Sequence, residues 1–318
     1  MADDRAEVVL EHALPCIQRK INNQSHGERN RPFVLGVTGL QGSGKSHLAS
    51  ALVRELCDKH QYNAIEVSLD DFYLPHSERQ ELRQRNPENK LLGARGQPGT
   101  HDIELARKFF EQFGKVDNDE IWIPSFDKSL FQGDGDRLPQ DQWKTVKWPV
   151  DIVIFEGWCV GFRPLEMGGV EKKRKEAVEI RDSTKTSEKT RTSTSDFSTS
   201  TLADHDVNHL LWVNEQLCFY CKGFMGPQNF DFFVHLDTDE LANVYVWRMQ
   251  QEHALLERTG SGMTDEQVVK FVQVYMPAYE LYLDGLRRGF FSDVQGGEKK
   301  QIRLVMDIKR NAINAEFL

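Results

Sequence analysis

Eight consecutive residues, Gly39-Leu40-Gln41-Gly42-Ser43-Gly44-Lys45-Ser46, fit the pattern G-x-x-x-x-G-K-[ST]. Glycines in such a loop let backbone N–H groups turn inward around phosphate oxygens, and a helix starting at the lysine adds its positive end. Gly39, Gln41, Gly42, Ser43, Gly44, Lys45, Ser46 and His47 are therefore expected to hold a nucleotide. Lys45 should reach the β- and γ-phosphates and the Ser46 hydroxyl should ligate Mg²⁺, which makes ATP and Mg²⁺ the expected cofactors. No Asn-Lys-x-Asp stretch that would read guanine is present, and no Leu-Ser-Gly-Gly-Gln transporter motif.

Three further positions fit phosphoryl transfer. Ser68-Leu69-Asp70-Asp71-Phe72-Tyr73 sets two carboxylates at the end of an apolar run. A carboxylate there can accept the proton of an attacking hydroxyl or hold that hydroxyl in line with the γ-phosphorus. The same pair also describes a turn or helix cap. Glu156 ends the run Ile152 to Phe155, where an acid can position Mg²⁺ and its waters; a solvent-facing strand end is the alternative. Arg248, in Val244-Tyr245-Val246-Trp247-Arg248, suits a lid whose guanidinium meets charge developing on the transferred group. Arg258 either shares that task or is solvated. From Arg79 to Arg95, five basic residues (Arg79, Arg83, Arg85, Lys90, Arg95) stand against Glu81 and Glu88, a local +3 in a chain that totals -9. An anionic acceptor fits that island.

The elements that must position these groups follow from hydrophobic spacing. Phe33-Val34-Leu35-Gly36-Val37, Ala64 to Leu69, Asp151 to Gly157, Phe232 to Asp237 and Arg303 to Ile308 are short apolar runs of the kind buried on both sheet faces. Helical stripes cover residues 5–22, Leu48 to Lys59, Ile103 to Phe113 and Val207 to Cys221. Two more run through Leu241 to Leu255 and Val268 to Tyr279. Pro15 should kink its helix or split it in two, and Pro277 should kink its own. The pattern predicts an α/β fold with a mostly parallel five-stranded sheet and helices on both faces, within a single domain spanning 1–318. The excursion at about 75–137, rich in proline, glycine and charge, should supply no central strand and is expected to face the acceptor.

At about 167–205 the composition shifts: Lys172-Lys173-Arg174-Lys175 precedes a stretch in which 13 of the 19 residues from Ser183 to Thr201 are Ser or Thr. This segment is expected to be a disordered insertion, with the basic quartet a solvated loop run or, alternatively, a nuclear import signal. Cys218 and Cys221 have metal-like spacing but no second pair, so buried thiols are expected. The acidic start Met1-Ala2-Asp3-Asp4, an odd count of five cysteines and no apolar run of membrane-spanning length point to the cytoplasm, with the nucleus as a second location. The charge argues against nucleic acid as partner, and monomer is the default expectation.

These residues together resemble the D-glycerate 3-kinases of plants and their fungal relatives, in the group that also holds uridine kinase, phosphoribulokinase and bacterial pantothenate kinase. Gly39 to Ser46 and Ser68 to Tyr73 carry the likeness. So do Leu82 to Pro87 with Gly96 to Asp102, and Phe155-Glu156-Gly157-Trp158 with Gly161-Phe162. Pro124 to Ser129, Gly133 to Arg137 and Tyr275 to Tyr279 add to it. The resemblance implies a fold of the P-loop NTPase type, with transfer of the γ-phosphoryl group of ATP to a hydroxyl, first of all that of D-glycerate. It also implies Asp70, Lys45 and Arg248 as catalytic residues and Ser46 and Glu156 as Mg²⁺ ligands. Asp71, Tyr73, Arg83, Arg95, His101, Asp102, Asp127, Lys128 and Arg137 would lie on the acceptor side. Phe126 stands where the plant enzymes are expected to have tyrosine, and the Ser/Thr-rich stretch is foreign to them. Another small acceptor, such as a nucleoside or pantothenate, and an ATP-binding regulatory protein are the competing readings.

Overall fold

The computed structural model describes residues 3–23, 31–114, 119–186, 197–292 and 300–318. Its frame is a six-stranded sheet flanked by helices. In chain order the sheet strands are β1 (Phe33–Gly39), β2 (Ala64–Ser68), β7 (Ile152–Gly157), β8 (Phe232–Asp237), β9 (Gln301–Met306) and β10 (Ala312–Phe317). Two small pairs, β3 (Glu120–Ile123) with β6 (Lys144–Lys147) and β4 (Phe126–Asp127) with β5 (Asp136–Arg137), lie outside it. The spatial order is β10-β9-β8-β1-β7-β2. All neighbours are parallel except β10 on β9.

The sheet has one strand more than the five expected. Residues Ala312–Phe317 are mostly exposed on an outer edge, so no apolar run announced them. Of the five strands legible in the sequence, β1, β7 and β8 are buried at every position, which is what both-sided burial of a parallel sheet requires. A ring-on-ring core beneath them includes Phe155 against Phe72, Phe110 and Phe224.

The helices are α1 (Asp4–Asn23), α2 (Lys45–Asp58), α3 (His76–Arg85), α4 (Ile103–Glu111), α5 (Gly169–Thr186), α6 (Val207–Tyr220), α7 (Asn243–Thr259) and α8 (Asp265–Arg288). Helix α1 runs through Pro15 and α8 through Pro277 without ending. In the excursion, α3 joins the expected α4; its only buried residue is Arg79, so it has no apolar stripe to read.

The disordered insertion expected at about 167–205 is corrected for its described ends, 167–186 and 197–205. Residues 169–186 form α5, with Val170 buried and the Arg174 Nε donating to the His205 carbonyl at 2.7 Å. Lys173 reaches the Glu280 carbonyl at 2.8 Å, so the basic quartet lies on a helix rather than in a loop. Downstream, Phe197 stacks on Tyr245 at 4.8 Å, and Thr201 and Leu202 donate their amides to Glu280. A high Ser/Thr content masked a few well-placed apolar and charged anchors. The centre of the Ser/Thr-rich stretch, 187–196, lies outside the described residues. Cys218 and Cys221 are half-buried rather than buried, and Cys221 donates its thiol to the Phe162 carbonyl. Among the described residues no helix is long and apolar enough to cross a membrane.

Candidate active site

The C-terminal ends of β1, β7 and β2 meet at one cavity of about 310 Å³. The loop leaving β1 turns through Gly42 and Gly44 at φ of 79° and 87° and enters α2 at Lys45. A side chain at Gly42 would be strained at that φ and would lie 2.5 Å from the Trp247 Cβ. Lys45 and Ser46 line the cavity. The Ser46 hydroxyl donates to Glu156 Oε1 at 3.0 Å, while the buried Oε2 of Glu156 has no hydrogen-bond partner among the described residues. Two hard oxygens, one without a hydrogen bond, beside a phosphate loop fit a hydrated divalent cation such as Mg²⁺. Gln41 Oε1 and Ser43 Oγ are likewise buried without a partner among the described residues. His47 points out, 67% exposed and 3.8 Å from Asp3, so it does not join its loop neighbours at the cavity.

Chain order alone leaves two roles open for Asp70 and Asp71, and local geometry separates them. After β2 the chain makes a 3₁₀ turn, Leu69–Phe72, capped by Ser68. The Ser68 hydroxyl accepts from the Asp70 amide, and Asp71 accepts from the Ser68 amide at 3.2 Å. Asp71 is thus the cap's carboxylate, and Asp70 is left to face the cavity. Lys128, in the turn after β4, donates to Asp70 Oδ2 at 2.5 Å. Burial opposes charge on Asp70, yet Lys128, with Lys45 and His101 behind it, holds its carboxyl well below the usual range. Asp71 has no such bonded cation; burial, helped by the charges of Asp70 and Glu156, pushes it up to about 6 against the Ser68 hydrogen bond.

The basic island divides in the same way. Arg79 and Arg83 both pair with Asp134, at 3.0 and 2.8 Å, so their charge is spent on joining α3 to the turn between β4 and β5. Arg83 is therefore not brought to the cavity. Arg95 is: it lines the cavity, donates to the Gly133 and Asp134 carbonyls, and lies over the rings of Tyr73 and Phe126. Tyr73 also lines the cavity, stacked on buried His101 at 4.4 Å. His101 itself does not line it; burial drives its pKa down to about 3, and the Tyr220 hydroxyl sits 2.9 Å from Nδ1. Asp102 caps α4 and pairs with Arg137 at 3.0 Å, and Arg137 also donates to the Tyr73 carbonyl. Asp127 accepts from Ser129 at the surface. These three residues shape the loops beside the cavity rather than its wall.

Arg248 closes the opposite side, paired with Glu252 at 2.7 Å and lying 5.2 Å from the Phe271 ring centroid. Arg258, in the last turn of α7, is exposed and does not line the cavity. Sequence reasoning missed the remaining wall: Trp158, Gln251, Phe271 and Tyr275. Trp158 donates to the Gly96 carbonyl and Tyr275 to the Arg95 carbonyl, so these aromatics hold the very loop that presents Arg95. Glycine at 96 leaves room for the Tyr275 hydroxyl, which would lie 2.2 Å from a Cβ there.

A solved D-glycerate 3-kinase from Cryptococcus neoformans superposes at a TM-score of 0.84 with 32% identity, covering 99% of both chains. The chain belongs to the P-loop kinase family that holds this enzyme. A Schizosaccharomyces pombe relative, "Uncharacterized kinase mug58", is 41% identical over 88% of the chain and 90% of its own length. The "Probable ATP-dependent kinase TDA10" of Saccharomyces cerevisiae is 33% identical over 98% of both. No protein-family model matches the chain. The kinase is an ATP-dependent phosphotransferase, and its cavity joins the phosphate loop to an acid, Asp70, that belongs to a separate strand end.

Proposed function

We propose that the kinase transfers the γ-phosphoryl group of ATP to a hydroxyl of a small anionic hydroxy acid, with D-glycerate as the acceptor. The observation that carries this reading is the shared cavity in which Asp70, Lys128 and Arg95 face the phosphate loop. Arg95 meets no carboxylate among the described residues, and its planar fork suits the carboxylate of an acceptor. The C. neoformans relative, named a D-glycerate 3-kinase, supports the same acceptor.

In this reading the acceptor oxygen bonds to the γ-phosphorus as the bond to the β-phosphate oxygen of ADP breaks, and the hydroxyl proton leaves past Asp70 to solvent. A carboxyl held as low as that of Asp70 is a weak base. Its task is to orient the hydroxyl by accepting its hydrogen bond, which suffices for a loose phosphoryl-transfer transition state. Lys45 neutralises the β/γ charge and Arg248 meets the transferred group from α7. Ser46 and Glu156 would hold Mg²⁺, which supplies charge neutralisation on the phosphates.

ADP release from Mg·ATP is measured with and without D-glycerate, beside uridine, pantothenate and other small hydroxy acids. Stimulation by D-glycerate is the expected result. Stimulation by a neutral nucleoside alone would overturn the anionic acceptor, and ATP binding without stimulation by any of them would overturn transfer to a metabolite.

A further inference from the structure

Two guanidiniums grip the phosphate loop from its outer side. Arg5 of α1 donates from Nη1 to the Ser43 carbonyl at 3.1 Å. Arg310, in the turn between β9 and β10, donates from Nε to the Gly42 carbonyl at 2.6 Å. Neither arginine lines the cavity. A trans peptide is planar, so a carbonyl and the following N–H point in opposite directions. Drawing the Ser43 carbonyl outward aims the Gly44 N–H inward, and that N–H meets no acceptor among the described residues. The Gly42 carbonyl precedes the Ser43 N–H, which closes a turn onto the Leu40 carbonyl at 3.1 Å. Arg310 thereby fixes the turn, and Arg5 fixes the peptide that opens α2.

Both arginines are themselves anchored. Asp3 accepts from Arg5 Nε and Nη2 at 2.8 and 2.7 Å. Arg310 donates to Gln250 at 2.7 Å and to the Trp247 carbonyl at 3.2 Å, and it lies over the Trp247 ring. Trp247 and Gln250 flank Arg248 on α7, so Arg310 also joins the loop to the helix that carries the lid arginine. Among the described residues Arg310 meets no carboxylate, while its own burial and the charge of Arg5 both work against its protonated form. Such an unpaired cation behind the loop is relieved by an anion in front of it.

We propose that Arg5 and Arg310 are positioning residues that hold the phosphate loop in its binding shape, so that affinity for the donor's phosphates depends on two side chains outside the cavity. This rests on the loop's holding the donor phosphates; the direct titrations need nothing of the acceptor, and only the kinetic arm uses the D-glycerate of the proposed reaction.

The test is a set of equilibrium titrations of Arg5→Gln and Arg310→Gln with ADP and with adenosine, joined to steady-state kinetics with ATP and D-glycerate. Each variant should lose about tenfold in ADP affinity and raise KM for ATP by a similar factor, as expected for loss of a charge-assisted hydrogen bond. Adenosine affinity and KM for D-glycerate should stay at their wild-type values. Arg5→Lys and Arg310→Lys keep the charge but lose the fork, and should lose about threefold for ADP alone; they serve where a glutamine variant does not fold. Unchanged ADP affinity, or an equal loss for adenosine, would overturn the proposal, as would a KM for D-glycerate that rises in step with that for ATP. Wild-type protein that bound no ADP would overturn the reading of the loop itself, an outcome distinct from all of these.

Discussion

Replacing Lys128 by methionine should uncover the titration of Asp70. Methionine keeps most of the side chain's bulk and length but lacks the ammonium that bonds to Asp70 Oδ2 at 2.5 Å. Asp70 is then left with burial, which raises a carboxyl pKa, and with the more distant charge of Lys45. Asp71 calibrates the outcome from within the same turn: buried and without a bonded cation, it is pushed up to about 6. Asp70 in the variant should titrate in the same region. In kcat/KM, which reports groups of the free enzyme, the variant should fall about tenfold between its plateau near pH 7.5 and pH 5. The wild type should stay flat over that range, because its Asp70 remains ionised throughout. Titration of Asp71 adds no limb of its own, since a protonated carboxyl still offers its carbonyl oxygen to the Ser68 amide. Taking the ratio within one variant removes any weakening of acceptor binding caused by the loss of Lys128. A variant profile that is flat to pH 5, or a wild-type profile with the same limb, would refute the control of Asp70 by Lys128.

Three further outcomes are expected. Asp70→Asn keeps the shape but cannot hold the hydroxyl as an anion does, so kcat should drop by about 10²–10⁴ while the ADP dissociation constant stays unchanged in a direct titration. Gly42→Ala puts a Cβ at a φ of 79° and 2.5 Å from the Trp247 Cβ, so ADP affinity should fall by about tenfold or more as the loop and α7 move apart. Asp71→Asn should stabilise the protein at pH 7.5, by at most about 3 kcal/mol, read from denaturant melts. The sign follows from a folded pKa of about 6, above the ordinary value of 3.8: the penalty is absent below about pH 4, grows up to about pH 6 and is constant above it. Equal stabilisation at pH 4 would point to a cause other than charge.

The frame was legible where burial leaves a mark on the sequence. Strands β1, β7 and β8 read as apolar runs because both their faces are covered, and the phosphate loop read as a pattern because its glycines and lysine answer to one ligand geometry. Edge strand β10 and polar helix α3 left no such mark, since one face or nearly all of each meets solvent. The site was half legible. Sequence marks which residues are charged but not which charges are already spent: Arg83 and Arg95 look alike in the chain, yet Asp134 consumes the first. Asp70 and Asp71 are equivalent by composition, and the Ser68 cap separates them. Arg5 and Arg310 lie 38 and 268 positions from the loop residues they hold, a pairing that only the folded topology creates.

The distribution of charge suits the proposed use of one cavity by two anions. Lys45, Arg95, Lys128 and Arg248 line it against Asp70 and Glu156, four cations to two carboxylates, a net of +2 within a chain of net -9. That local excess suits a nucleotide together with the acidic acceptor proposed above. In that reading the excess is divided between the two: Lys45 and Arg248 would serve the donor, and Arg95 and Lys128 the acceptor. Each substrate would then meet its own pair of cations, and each carboxylate would belong to one side. Glu156 stands with Ser46, and Asp70 with Lys128. Because Lys128 neutralises Asp70, the acid can stand close to the γ-phosphate without repelling it and still present an oxygen to the hydroxyl. Without that pairing, an ionised carboxylate beside the phosphate loop would oppose the binding of the nucleotide it helps to use.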